Sequence, residues 1–170
     1  MRIRRAVIED APTIAGVQVR SWQQAYAEVL PADHLAALDV VGRTAMWQRV
    51  IEQGGGVFVA DRDGEVAGFV AAGRFRPAEG DDVEPGVGEV YAIYVDPARW
   101  SAGAGRALMD AAAEHLTDAG FDEIRLWVFE HNPRARRFYE RCGFTLDRGP
   151  VAFMEGETEV TEVRYARSTS

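Results

Sequence analysis

Between Glu89 and Phe129 the chain runs through a strand, a glycine-bearing turn, a helix and a second strand. That series constrains the fold more than any other stretch. Glu89–Val95 is a β-branched and aromatic run, ended by Asp96-Pro97. Gly103–Ala119 sets Leu108, Ala112, Leu116 and Ala119 on one helical face, and Gly120 closes it as a helix-terminating glycine. Ile124–Phe129 is strand-like again. A helix set between two strands reads as a crossover, the mark of a mixed α/β sheet.

The flanking segments extend this pattern. Arg2–Ile8 reads as a short first strand. Asp10 is placed to cap a helix with Pro12 in its first turn, and apolar residues from Ile14 to Val29 keep helical spacing until Leu30-Pro31 breaks it. A second helical region runs from Ala32 to Ile51, with Gly42 as its point of interruption. Val57–Ala60 and Glu65–Arg76 flank Asp61-Arg62-Asp63-Gly64, a hairpin turn signal. Pro77–Gly88 is an acidic loop without apolar period. Asn132-Pro133 opens a helix that Gly143 closes, and Phe144–Phe153 pairs with Glu159–Tyr165 as a last hairpin. The order is β-α-α-β-β-β-α-β-α-β-β, a mixed α/β domain with a largely antiparallel sheet.

Composition narrows the function. The chain of 170 residues fits one domain. No apolar run approaches the ~20 residues of a membrane span, and Glu9-Asp10 follows the basic N-terminus where a signal peptide would be apolar, so a cytoplasmic protein with no membrane partner is expected. A net charge of −8 disfavours nucleic acid and mildly favours a cationic substrate. Cys142 is the single cysteine, which excludes an intrachain disulfide and cysteine-rich zinc sites. His34, His115 and His131 share no metal-ligand spacing, so no metal is expected. There is no lysine, and Asn132 is the only asparagine.

Ala98-Arg99-Trp100-Ser101-Ala102-Gly103-Ala104-Gly105-Arg106 joins a strand to a helix. Glycines let backbone approach a ligand, and helix-start amides point at it, so this turn is an anion cradle or an ordinary connection. The phosphate loop of nucleotide hydrolases needs a lysine the chain lacks. A dinucleotide fingerprint needs a glycine where Leu108 stands.

The stretch from Leu126 to Phe144 is the most specific. Its strand is followed by Asn132, by Ala135 three residues on, by Phe138-Tyr139 and by Gly143-Phe144. This resembles the second half of the GNAT superfamily of N-acetyltransferases, and Val95-Asp96-Pro97 with Gly103-Ala104-Gly105-Arg106-Ala107-Leu108 is similar to that family's coenzyme A loop. Trp100 stands where Gln or Arg is usual, and Ser101 replaces a frequent glycine. The resemblance implies a single GNAT-like acetyltransferase domain over 1–170, of α/β (α+β) class. It implies a mixed, largely antiparallel central sheet of about seven strands, flanked by about four helices. It also implies acetyl-CoA as co-substrate, bound by Ile93, Tyr94, Val95, Trp100, Ser101, Ala102, Gly103, Ala104, Gly105, Arg106, Asn132, Arg136 and Tyr139. Homodimers are frequent among such proteins.

For Asn132, helix capping alone also accounts for the residue; the resemblance adds a hydrogen bond to the pantetheine arm. Tyr139 shares a helical face with Ala135, Phe138 and Cys142, a core arrangement to which the resemblance adds the coenzyme A sulfur as hydroxyl partner. The implied reaction is acyl transfer from a thioester to a primary amine of a small molecule or peptide N-terminus. Tyr139 is the candidate acid for the leaving thiolate and Glu89 the candidate base, while backbone N–H groups near Val95 meet the oxyanion. Glu89 is otherwise a solvated strand-end charge. Trp22 and Tyr26, four apart on one helix, are candidate acceptor-binding aromatics, and Glu89 is a third acceptor candidate; Trp47 reads as core. A competing reading is a non-catalytic acyl-CoA-binding sensor.

Overall fold

The computed structural model describes residues 1–77, 84–100 and 103–170. Its strands are β1 (Arg2–Arg5), β2 (Gly56–Arg62), β3 (Glu65–Arg74), β4 (Val87–Val95), β5 (Glu123–Phe129), β6 (Thr145–Glu155) and β7 (Thr158–Ser168). Its helices are α1 (Ala11–Ala25), α2 (Ala32–Ala36), α3 (Val40–Glu52), α4 (Ala104–Asp118) and α5 (Pro133–Arg141). One seven-stranded sheet has the order β1-β2-β3-β4-β5-β7-β6. Pairs β1/β2, β5/β7 and β6/β7 are antiparallel, whereas β4 and β5, joined through α4, are parallel over Val87–Glu89 and Glu123–Arg125. The expected crossover and largely antiparallel sheet are therefore present, with five helices among the described residues instead of about four. No helix among the described residues is long and apolar enough to cross a membrane.

The chain divides into two compact units, Met1–Ala71 with Ala92–Ala112, and Ala72–Tyr91 with Ala113–Ser170. In the first, helices α1 and α3 supply Ile14, Val17 and Trp47 to a core completed by Val57, Val59 and Phe69. Trp47 is core, as its sequence suggested; its ring meets Phe69 edge-on at 5.0 Å, and its Nε1 donates to buried Gln18 at 3.0 Å. Several boundaries differ from the sequence reading. β1 ends at Arg5, because Ile8–Asp10 turn into a single 3-10 turn. Asp10 makes no side-chain cap on α1; its carboxylate is claimed by Arg4, at 2.7 and 3.0 Å, and by the Val7 N–H at 2.8 Å. Helix α1 stops at Ala25 instead of Val29, since Leu30 N–H closes a turn on Tyr26 O. The second helical region breaks between Ala36 and Val40, not at Gly42, because Asp39 caps α3 through the Val41 N–H at 3.0 Å. The β2–β3 hairpin turns where expected, with Asp63 and Gly64 both at positive φ (56° and 89°), as a type I′ turn requires.

In the second unit, β5, β7 and β6 form an antiparallel ladder, with register shifts in β6 between Leu146 and Val151. Side chains alternate across it. Ile124, Leu126 and Val128 share the buried face with Val163 and Tyr165, and α5 lies over that face: Tyr139 packs at 6.4 Å from Tyr165. The opposite face carries Arg125, Trp127 and Phe129 on β5, with Glu162 and Arg164 beside them on β7. Glu89 joins this face through its pairing with Arg125.

Candidate functional site

In the first unit, the exit of β4 is tied down residue by residue from α1. Arg20 donates to Asp96 at 2.6 and 3.1 Å, Ser21 Oγ to Val95 O at 3.3 Å, and Trp22 Nε1 to Tyr94 Oη at 2.9 Å. Burial pushes the Asp96 carboxyl upward, but bonds from Arg20 and the Ala98 N–H outweigh it and hold the group below its usual range. Trp100, the unusual residue of the loop, folds back so that its indole donates to Val95 O at 2.9 Å. The strand end is thus fixed from both sides. Gly68 on β3 permits this approach: a Cβ there would lie 2.7 Å from Tyr94 O and 3.0 Å from the Val95 Cα. Gly68 was not singled out in the sequence, although a glycine inside a strand is the usual signal of close backbone approach.

Gly103 sits at φ 80°, a conformation that excludes other residues at low cost, and its carbonyl accepts the Ala107 N–H at 3.1 Å in the first turn of α4. Ser101 and Ala102 lie outside the described residues. Arg106 pairs with Asp110 one turn on, at 3.0 Å. Ile93, Tyr94 and Val95 are half-buried. Of the acceptor candidates, Tyr26 is buried and Trp22 meets it edge-on at 5.1 Å, while Arg43 lies 5.5 Å over the Trp22 ring.

In the second unit, Asn132 caps α5: its Oδ1 accepts the Ala135 N–H at 3.1 Å. That bond fixes the amide's orientation and leaves Nδ2 directed away as a donor. Tyr139 is 9% exposed and packed among Phe138, Phe144 and Tyr165. Arg136 donates to Tyr165 Oη at 3.0 Å and Glu130 O at 3.1 Å, so it braces the turn between β5 and α5. Glu89 is buried, not a solvated strand end. Its carboxylate accepts three bonds from Arg76, two from the guanidinium at 2.9 and 3.3 Å and one from the backbone N–H at 2.9 Å. Neither Arg76 nor Glu162 was anticipated, because their proximity to Glu89 is set by strand pairing and not by local spacing. Among the described residues there is no group of three or more His, Cys, Asp or Glu placed to hold a metal ion.

The model of the acetyltransferase (GNAT) family matches residues 17–144. The chain belongs to this family. It is 42% identical over 134 residues to the uncharacterized N-acetyltransferase YuaI of Bacillus subtilis, covering 77% of this chain and 73% of that one. It is 43% identical over 90 residues to a mycothiol acetyltransferase of Thermobispora bispora, covering 53% of this chain and 30% of that protein. The chain therefore spans under a third of that second relative's length. The fold is shared with the ribosomal-protein-alanine N-acetyltransferase of Brucella melitensis (TM-score 0.75, 21% identity, 99% of each chain). It is also shared with the PaiA N-acetyltransferase of Thermoplasma acidophilum, solved with coenzyme A (TM-score 0.71, 21% identity, 95% and 96%).

Proposed function

We propose that this GNAT-family chain transfers an acetyl group from acetyl-CoA to a primary amine of a small molecule or a peptide N-terminus, by direct attack on the thioester. The observation that carries the reading is the family match over 17–144, a stretch that contains Gly103, Asn132 and Tyr139, the residues that the resemblance assigns to coenzyme A. The match runs through both compact units, which supports reading 1–170 as one acetyltransferase domain.

The local geometry fits each role. The α4 start, opened by Gly103 at positive φ, presents backbone amides that lack intrahelical acceptors and suit a pyrophosphate. Ala104, Gly105 and Arg106 continue that turn. The Nδ2 of Asn132 suits an amide carbonyl of the pantetheine arm. The end of β4, from Ile93 to Val95, is held rigid from α1 and by Trp100, which fits a strand that must aim its N–H groups at an oxyanion without reorganising. Tyr139 supplies the proton for the departing thiolate. Arg136 supports the pantetheine-facing turn. Trp22 and Tyr26 of the first unit, and separately Glu89 of the second, are assigned to the acceptor, the aromatic rings suiting a cationic amine.

Testing needs two measurements on the intact chain. Acetyl-CoA is expected to raise Tm where ATP and NAD do not, and thiol release is expected with at least one of a panel of primary amines. Tyr139→Phe is expected to lower kcat about tenfold to a hundredfold with an unchanged KM for acetyl-CoA. Acetyl-CoA binding without thiol release across the panel would instead support the sensor reading.

A further inference from the structure

We propose that Glu162 is the proton acceptor of this reaction, taking a proton from the acceptor's ammonium group so that the nitrogen can attack the thioester. The assignment rests on the acetyltransferase reading and specifies which carboxylate serves it.

Position is the first ground. The β5/β7 register sets Glu162 directly opposite Phe129, whose carbonyl accepts the Asn132 N–H at 3.0 Å. Glu162 therefore stands at the strand end from which the Asn132 turn departs. Strand alternation puts it on the face shared with Glu89, Trp127 and Arg164, opposite to the face covered by α5.

Charge pairing is the second ground. The arginines of this face are engaged elsewhere: Arg76 holds Glu89, Arg125 holds Glu84 and Glu123, and Arg164 holds Asp147 while lying over Trp127. Arg148 of β6 lies 6.0 Å over the same Trp127 ring. The carboxylate of Glu162 has no hydrogen-bond or ion-pair partner among the described residues. The charges that act on it are Glu89 from β4 and Glu155 from β6, both repulsive. Burial first, and then these like charges, push its carboxyl up to about 7. A carboxylate with that affinity for protons is matched to general-base work near neutral pH. Glu89, by contrast, already accepts three hydrogen bonds from Arg76, which engages both of its oxygens.

The proton account closes. The ammonium brings three protons. One passes to the Glu162 carboxylate and on to solvent, freeing the nitrogen lone pair. The C–N bond forms as the carbonyl electrons move onto oxygen; the oxyanion collapses and the C–S bond breaks. Tyr139 gives its proton to the thiolate and is restored by the second proton leaving nitrogen, and the third remains on the amide.

The test compares wild type, Glu162→Gln, Glu162→Asp and Glu89→Gln by thiol release. The substrates are acetyl-CoA and the best amine from putrescine, phenethylamine, glucosamine and an alanyl peptide. Glu162→Gln is expected to lower kcat/KM for the amine about a hundredfold at pH 7 and to remove the acid limb near that pH. Glu162→Asp is expected to restore part of the rate, Glu89→Gln to move the limb to lower pH without removing it, because one of the like charges acting on Glu162 is gone, and the KM for acetyl-CoA to stay within about twofold. Thermal melting gives a second readout. A carboxyl raised in the folded state loses stability as pH climbs from its unfolded value through about 7, so Glu162→Gln is expected to raise Tm at pH 8 and leave it unchanged at pH 4. An active Glu162→Gln with the wild-type pH profile overturns this assignment and leaves the acetyltransferase reading intact. Wild type that binds acetyl-CoA yet releases no thiol with any amine overturns both.

Discussion

At the scale of single residues, Asn132 separates structural from functional demands. Its Oδ1 caps α5 and its Nδ2 is the proposed ligand donor. Asn132→Asp keeps a good cap but removes the donor, so melting is expected to stay within about 0.5 kcal/mol of wild type while the KM for acetyl-CoA rises several-fold; Asn132→Ala is expected to lose about 1 kcal/mol as well. Gly68 makes the opposite kind of demand. The Cβ of Gly68→Ala would meet backbone, 2.7 Å from Tyr94 O, which no side-chain rotation relieves. The expected result is destabilisation of about 1–3 kcal/mol by urea unfolding, or acetyl transfer reduced through a displaced β4 end. The cap at Asn132 was legible in the sequence because Asn-Pro before a helix is a local signal. Gly68 was not, because what it avoids, the end of β4, lies 26 residues away in the chain (from 68 to 94). The glutamates divide likewise: Glu89 stood out by its place on a strand, whereas Glu162 is given meaning only by what it pairs with and what it lacks.

At the scale of elements, local signals carried furthest. The Asp61–Gly64 hairpin, the Gly120 stop of α4 and the crossover from β4 to β5 all lie within a few residues of where periodicity and turn chemistry put them. Boundaries failed where a side chain had a stronger partner elsewhere. Asp10 is drawn from the cap position to Arg4, and Asp39, not Gly42, divides the second helical region. The tie between α1 and β4 is another such long-range feature, and it carries a pH signature. Both Asp10 and Asp96 are held below the usual carboxylate range: burial opposes this, but bonds from Arg4 and Arg20 outweigh it. Depressed folded values mean stability present above the unfolded value and lost as pH falls through the folded one. Urea midpoints are therefore expected to fall as pH drops below about 4, the ordinary carboxylate range. In Asp96→Asn the acid-dependent part of that loss is expected to shrink. An identical acid slope in the variant would show that the Arg20–Asp96 tie contributes nothing.

At the scale of the whole molecule, the fold class, the sheet and the family were legible from one strand-turn-helix pattern and one Asn-to-Gly-Phe run, and the family match over 17–144 agrees with them. The acceptor was not legible, since an amine pocket is assembled from surface side chains of several elements and carries no fixed spacing. Ligand linkage offers a global check. Acetyl-CoA at about a hundred times its Kd is expected to stabilise the chain by about 2.7 kcal/mol, which for a protein of this size corresponds to a Tm increase of roughly 5–10 °C. Coenzyme A is expected to do nearly the same, because most of the proposed contacts lie on the pyrophosphate and pantetheine. The most direct measurement of the central claim is thiol release from acetyl-CoA across primary amines, with the product identified by mass spectrometry. Stoichiometric free thiol and N-acetylated amine, both strongly reduced in Tyr139→Phe, are the predicted result. Tight acetyl-CoA binding with no amine-dependent thiol and no acetylated product would contradict it.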